Sequence, residues 1–220
     1  MKRLKGRASM RVGRIASLSP LSRDFGFGRG LPVDRYYIES FLGDHAKDVQ
    51  GRVLEIGDDS YSRRYGADRI VQQDILHVRA GNPAATLVGD VTDPSVLPSA
   101  RFDCAILTQT LHLIFDMRAA VRQIHRSLKP GGVALITVPG ITSIDRYEWG
   151  DSWYWSLTPL ALERLLGEVF KPDQVRVSAY GNLYSATAFL HGAAFEEVSR
   201  AKLDHYDASY PVIAAARVQA

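Results

Sequence analysis

Short apolar runs alternate with amphipathic stretches along most of the chain. Arg52-Val53-Leu54-Glu55-Ile56-Gly57 reads as a buried first strand, because a brief apolar run ending in Gly is too short for a helix. Arg69 to Asp74 and Ala85 to Asp90 read as a second and a third strand, each ending in a carboxylate. Phe102-Asp103-Cys104-Ala105-Ile106-Leu107-Thr108 is a fourth. The spacing of Ala119, Ala120, Ile124 and Leu128 then predicts a helix from about Asp116 to Leu128. Lys129-Pro130-Gly131-Gly132 stops it, so Val133 to Val138 starts afresh as a fifth strand.

Upstream, the Gly-rich turn from Phe25 to Pro32 leads into a helix carrying Tyr36, Tyr37, Ile38, Phe41 and Leu42. Downstream, Thr158 is the N-cap and Pro159 the first residue of a helix with Leu162, Leu165, Leu166 and Val169 on its apolar stripe. Gln174 to Ser178 is a sixth strand, Leu183 to Leu190 a further helix and Tyr210 to Val218 a seventh strand. The alternation predicts an α/β fold, a doubly wound, mostly parallel seven-stranded sheet with helices on both faces. In such sheets ligands bind outside the carboxyl ends of the strands, where strand order reverses. The residues that end the first four strands are therefore the candidates for chemistry.

Composition narrows the class. A chain of 220 residues, 46% hydrophobic, suits one compact domain with a core and a cleft. Residues 25–220 are expected to form it. Seven Lys and Arg precede the first acidic residue, Asp24, so residues 1–24 form a basic leader, expected to be flexible, and the body is mildly acidic. That body lacks a basic stripe with interleaved aromatics, so a nucleic-acid partner is not expected. No apolar stretch reaches the roughly 20 residues of a membrane span, and the start has no apolar signal core. A cytoplasmic protein is expected, of unspecified oligomeric state. Cys104, the single cysteine, sits in an apolar run and reads as a core residue, and no His/Cys/Asp cluster has metal spacing.

The ordered series Glu55-Ile56-Gly57, Asp74, Asp90 and Asp103 to Thr108, followed by Leu128-Lys129-Pro130-Gly131-Gly132, resembles the class I S-adenosylmethionine-dependent methyltransferases, of the type 11 kind. The resemblance runs from about Val53 to Val138 and more loosely to Val218. It implies a Rossmann-like sheet with an antiparallel last strand, and S-adenosylmethionine as cofactor. It further implies Glu55, Gly57, Asp58 and Asp59 around the first loop, and Asp74 with Ile75 at the ribose hydroxyls. Asp90 with Val91 would border the adenine, and Thr108 would end the fourth strand at the ligand. A carboxylate can accept two hydroxyl hydrogen bonds; equally, Asp74 and Asp90 can cap turns.

The first loop departs from the family. Asp59 and Tyr61 stand where two further glycines are usual, so a Cβ at Asp59 should push the ligand away or reshape the loop. The interval to Asp74 leaves room for only a turn or two of helix around Ser62 to Gly66. The Asp pair would repel the pyrophosphate of a dinucleotide and could pair with the cationic groups of S-adenosylmethionine. His112 follows the fourth strand at the mouth of the cleft and is the candidate base, with Asp145, Asp151 and His191 as weaker alternatives. The aromatic segment 147–155, together with Tyr36 and Tyr37, could form a lid over the acceptor or pack the connection onto the sheet. The expected reaction is O-methylation of a small molecule or glycan; the alternative is a repurposed, non-catalytic member of the fold.

Overall fold

The computed structural model describes residues 17–220. Its centre is one seven-stranded sheet: β1 (Gly51–Ile56), β2 (Ile70–His77), β3 (Leu87–Val88), β4 (Phe102–Thr108), β5 (Leu128–Pro139), β6 (Val175–Tyr180) and β7 (Ile213–Gln219), in the spatial order β3-β2-β1-β4-β5-β7-β6. β7 runs antiparallel to both its neighbours, and the pairs among the other strands are parallel. Helices α1 (Val33–Asp44), α2 (Ser60–Gly66), α3 (Met117–Ser127), α4 (Pro159–Leu166), α5 (Leu183–Leu190) and the short α6 (Arg200–Leu203) connect and cover it.

The side-chain period of two splits the strands between two cores. Leu54, Ala105, Leu107, Ala134, Ile136, Ala214 and Ala216 join α3 and α4 on one face. Val53, Cys104, Ile106, Val133, Leu135, Ile213 and Ala215 join α1 and α5 on the other. Both faces of the central strands are therefore covered, which is why those strands read as continuous apolar runs rather than alternating ones. Cys104 is fully buried, as its apolar setting suggested, and burial pushes its thiol pKa up.

Local signals set most element ends. Asp116 caps α3 by accepting from Ala119 N, and Thr158 caps α4 by accepting from Ala161 N. Asn182 and Ser185 form a reciprocal capping box at the start of α5. The expected break at residues 129–132 is corrected: β5 begins at Leu128, directly after α3. Phe102 pairs with Leu128 and Cys104 with Val133, so the glycine-containing stretch is absorbed as an irregularity inside the strand, with Gly131 at φ 81°.

Residues 1–16, most of the basic leader, lie outside the described residues. Of the remainder, the Leu21 and Ser22 amides donate to His191 O at the end of α5. Among the described residues no helix is long and apolar enough to cross a membrane.

Candidate active site at the β1/β4 switch point

Successive strands run outward from β1 to β2 and β3 on one side, and from β4 to β5 on the other. The crevice at the carboxyl ends of β1 and β4 is therefore the expected ligand position. Gly57 opens it with φ 94°, and nothing lies within 4 Å of where a Cβ would project. This is a side-chain-free cradle that another residue could adopt only with strain.

The loop after Gly57 closes without further glycines. Asp59 has φ −122°, an ordinary value for an L-residue, and its Oδ2 accepts from Arg63 Nε at 2.5 Å. Asp58 Oδ1 accepts from Ser60 N at 2.8 Å and Ser60 Oγ at 2.6 Å, turning the chain into α2. The loop thus turns into α2 with an ordinary backbone angle at Asp59 and its two carboxylates engaged locally. α2 itself is only seven residues long.

Glu55 is buried beneath this turn. Its carboxylate accepts from Tyr61 N at 3.2 Å and Ser62 N at 2.7 Å, two amides that the first turn of α2 leaves unpaired. Burial raises its pKa to about 7 despite those bonds. Glu55 therefore fixes the loop from below by capping a helix.

The second strand requires a correction. β2 continues to His77, so Asp74 and Ile75 lie within the strand, opposite Leu54 and Glu55. Asp74 is buried and receives Arg52 Nε at 2.5 Å, Arg52 Nη2 at 3.1 Å and Thr86 Oγ1 at 3.1 Å. Its acceptor capacity is spent inside the sheet, away from the strand end. The position expected of Asp74 belongs to His77, whose Nδ1 lies 2.8 Å from Arg79 O. Beside it, Asn82 Nδ2 donates to Gly57 O at 2.8 Å and ties the loop after β2 to the cradle.

After the two-residue β3, Asp90 is exposed and its Oδ1 accepts from Thr92 N and Thr92 Oγ1, both at 2.8 Å. That is the turn-capping arrangement. Val91 beside it is buried in the core shared with α3. Thr108 ends β4, and its carbonyl accepts from Thr110 Oγ1. The next residue, Gln109, takes φ 48°, uncommon for a side-chain-bearing residue, and its Nε2 is buried without a hydrogen-bond partner.

His112 lies in a 3₁₀ turn, Leu111–Leu113, just beyond. It is 2% exposed, its Nδ1 has no partner, and its ring meets the Trp153 indole edge-on with centroids 4.5 Å apart. Burial, reinforced by the nearby Arg35 charge, lowers its pKa to about 3, so the imidazole is neutral.

Arg35, on α1, sends Nη1 to within 3.4 Å of Tyr61 OH and places its guanidinium over the Phe27 ring. Its Nε is buried without a hydrogen-bond partner, 3.8 Å from the Asp34 carboxylate. Trp153 stacks on Phe25 with centroids 5.9 Å apart, and its Nε1 is also buried and unpartnered.

The aromatic segment meets this cluster through Trp153, while His112 O accepts from Tyr154 N and Trp155 N. Tyr36 and Tyr37 do not join it; of the two alternatives, lid or packing, they take packing. They pack toward Phe195 and Tyr180, and their hydroxyls bond Asp204 and Leu203 O. Of the alternative bases, Asp145 caps a turn at Tyr147 and Glu148, Asp151 is exposed, and His191 ends α5.

No local sequence motif singles out Arg35, Gln109, His77 or Asn82. One signal was available: Asp34 shares the core-facing side of α1 with Ile38 and Phe41, and a charge at such a position needs a reason.

Two open grooves, of about 570 and 410 Å³, lie at the opposite, amino-terminal end of the strands and share Gly51, Val71, Asp103 and Lys129. Their charges are largely paired, Lys129 with Asp103 and Arg217 with Asp48. Neither groove touches the switch point. Among the described residues, no cluster of three or more His, Cys, Asp or Glu is placed to hold a metal.

Solved structures share this architecture. An S-adenosylmethionine-dependent methyltransferase from Archaeoglobus fulgidus aligns over 84% of this chain and 90% of its own, with a TM-score of 0.52 and 13% identity. Another, from Mesorhizobium loti, aligns over 86% and 98%, with a TM-score of 0.52 and 15% identity. The (4+2) cyclase SpnF aligns over 87% and 84%, with a TM-score of 0.54 and 17% identity. At these identities the likeness is one of fold. No curated protein matches the sequence. A family model described as a methyltransferase domain matches residues 21–169, more than half of the chain and every strand from β1 to β5, and the protein therefore belongs to the methyltransferase domain family.

Proposed function

We propose that the protein transfers a methyl group from S-adenosylmethionine to a hydroxyl of a small-molecule or glycan acceptor. The observation that carries this reading is the open cradle at Gly57, placed at the β1/β4 switch point, with buried nitrogens of Gln109, His112 and Trp153 after β4 and β5 that have no partner within the chain. Buried donors left unpaired are costly, and a bound polar ligand would relieve them. The residues present fit the cofactor. Gly57 permits close approach, Asp58 offers a carboxylate to an ammonium group, and His77 and Asn82 stand at the end of β2 where ribose hydroxyls would lie. Asp90, Val91 and Thr108 border the remaining edge.

When bound, the cofactor supplies an electrophilic methyl on a sulfonium. The chain contributes alignment, exclusion of water by Trp153 and Phe25, and a proton acceptor. The neutral His112 imidazole can take a hydrogen bond from the acceptor hydroxyl at Nδ1 in the tautomer that leaves this nitrogen unprotonated. Its low pKa makes it a weak base, so positioning carries more of the rate than proton removal.

The test is titration calorimetry with S-adenosylhomocysteine, followed by transfer of labelled methyl groups to a panel of hydroxyl compounds. Binding together with label in an ether-linked product is expected. Absence of heat at millimolar ligand would overturn the reading. A second reading, a fold member that has lost methyl transfer, is favoured by the weak basicity of His112 and by Asn82 spanning the Gly57 carbonyl. It predicts cofactor binding, or none, with no label transfer to any acceptor.

A further inference from the structure

The two grooves at the amino-terminal end of the sheet share four lining residues and so form one continuous trough, about 570 Å³ on one side and 410 Å³ on the other. Gly51, Gly131 and Gly132 line it without side chains, and a Cβ at Gly51 would strike the Asp103 carboxylate at 2.5 Å. That missing side chain lets Asp103 reach across the start of β1. There its Oδ2 accepts from Arg52 N at 2.8 Å and from Lys129 Nζ at 2.7 Å.

Charge is unevenly spent in the trough. Five cations line it, Arg52, Arg69, Arg101, Lys129 and Arg217, against two carboxylates, Asp48 and Asp103. Lys129 pairs with Asp103, Arg217 with Asp48, and Arg52 with Asp74 inside the sheet. Two arginines are left over. Arg69 is exposed, forms no ion pair among the described residues, and gives Nη2 to the Ala46 and Tyr65 carbonyls. Arg101 is exposed, and its side chain makes no hydrogen bond or ion pair among the described residues. Asp68 and the Ala220 carboxylate lie outside the lining.

Topology sets the spacing of these two cations. Arg69 precedes β2 and Arg101 precedes β4, the strands that flank β1. Their backbones therefore stand two strand spacings apart, about 10 Å, with Gly51 between them. Lys129, at the start of β5, belongs to both halves of the trough.

Magnitudes choose the occupant. One solvent-exposed ion pair contributes little, so a lone monovalent anion gains little here. An anion with several charges along a short chain can engage Arg69, Lys129 and Arg101 together, and guanidinium forks take phosphate oxygens two at a time. No aromatic side chain lines the trough, so it lacks the stacking surface that holds a nucleobase or a single strand of nucleic acid. The basic leader carries the same sign as the trough and is excluded as its occupant. A neutral or cationic ligand would leave both arginines uncompensated.

We infer that the trough is a second ligand site, taking a compact polyanion of the oligophosphate class gripped by Arg69 and Arg101 from its two halves, with Lys129 common to both. It lies at the opposite end of the sheet from Gly57 and is independent of the proposed methyl transfer.

Amide NMR on the isotope-labelled full chain tests this, with inorganic triphosphate as the probe. Shifts are expected at Gly51, Arg101, Gly131 and Gly132 and not at Gly57, and calorimetry should give an affinity that falls with added salt. Arg101→Gln removes a side chain that the fold does not use. It should weaken triphosphate binding roughly fivefold, about the worth of one exposed charged contact, with an unchanged Tm. Arg69→Gln should weaken it by a similar factor and also lower Tm, because its carbonyl contacts are lost. Shifts confined to residues 1–24, or an affinity that both variants leave unchanged, would place the anion elsewhere and overturn the inference. Citrate bound as tightly as triphosphate would refute the phosphate class. An oligothymidylate bound more tightly than triphosphate would replace the compact ligand with a nucleic-acid strand. No shift at millimolar triphosphate would remove the site altogether.

Discussion

The Glu55 carboxylate, at the end of β1, accepts the Ser62 amide at 2.7 Å and so joins the first strand to the first turn of α2 through a buried hydrogen bond. Its pKa, raised from 4.5 to about 7, fixes a sign. Between those values the folded chain holds a proton that the unfolded chain has released. Glu55 therefore favours folding less as pH rises from about 4.5 to about 7, at about 1.4 kcal/mol per pKa unit. Urea unfolding of the natural chain and of Glu55→Gln should give a stability difference that shifts against the natural chain between pH 5 and pH 8. A difference independent of pH would refute this account of the cap.

His112 works in the opposite direction. Its folded pKa is lowered to about 3, so the unfolded chain takes up a proton first as pH falls below 6.5, and stability is lost from there toward pH 3. The Glu55 and His112 contributions partly cancel in the natural chain. In Glu55→Gln the acid-side loss due to His112 should be unmasked, and adding His112→Phe should flatten it. Unfolding midpoints at pH 4.5 and pH 6.5 for the three chains decide the matter.

Gly57→Ala separates conformation from contact. The added methyl meets nothing within 4 Å, yet φ 94° is strained for any residue with a Cβ. The expected cost is about 1–3 kcal/mol in thermal unfolding. The methyl would also stand in the cradle, so calorimetry should show S-adenosylhomocysteine binding weakened at least about tenfold, or by roughly 1.4 kcal/mol. Unchanged affinity would place the ligand elsewhere.

Asp74 and His77 should behave as structural and binding residues respectively. Asp74→Ala removes the ion-pair partner of the largely buried Arg52, leaving it only the Gln72 side chain, and is expected to cost about 3 kcal/mol of stability. Cofactor affinity of the folded protein should stay within about twofold, a few tenths of a kcal/mol. His77→Ala should do the reverse. If Asp74→Ala abolishes binding while the fold survives, the carboxylate has a role its position in β2 does not indicate.

How far a feature is legible in the sequence follows from what it depends on. β4, α5 and the cap of α4 were legible because apolar runs and Ser, Thr or Asn caps act within a few residues. The end of β2 was not. A carboxylate closing an apolar run looks like a strand end, but where a strand stops depends on its partner. Ile56 pairs with Leu76, and Gly57 N donates to Leu76 O, so β1 carries β2 past Asp74 to His77. The same holds for the start of β5, which pairing with β4 pulls back to Leu128 despite the glycines.

By itself the sequence determined the order of elements and the two-sided burial of the central strands, since apolar periodicity and capping are local and repeat along the chain; the spatial order of the strands, and with it the switch point at β1 and β4, came from the fold. Only the tertiary structure decided which polar groups are spent and which remain. Asp74 is consumed by Arg52 and Glu55 by α2, while Arg35, Gln109, His112 and Trp153 keep unpartnered buried nitrogens. Hydrogen-bond satisfaction is a property of neighbours in space, and those four residues span more than half of the sequence.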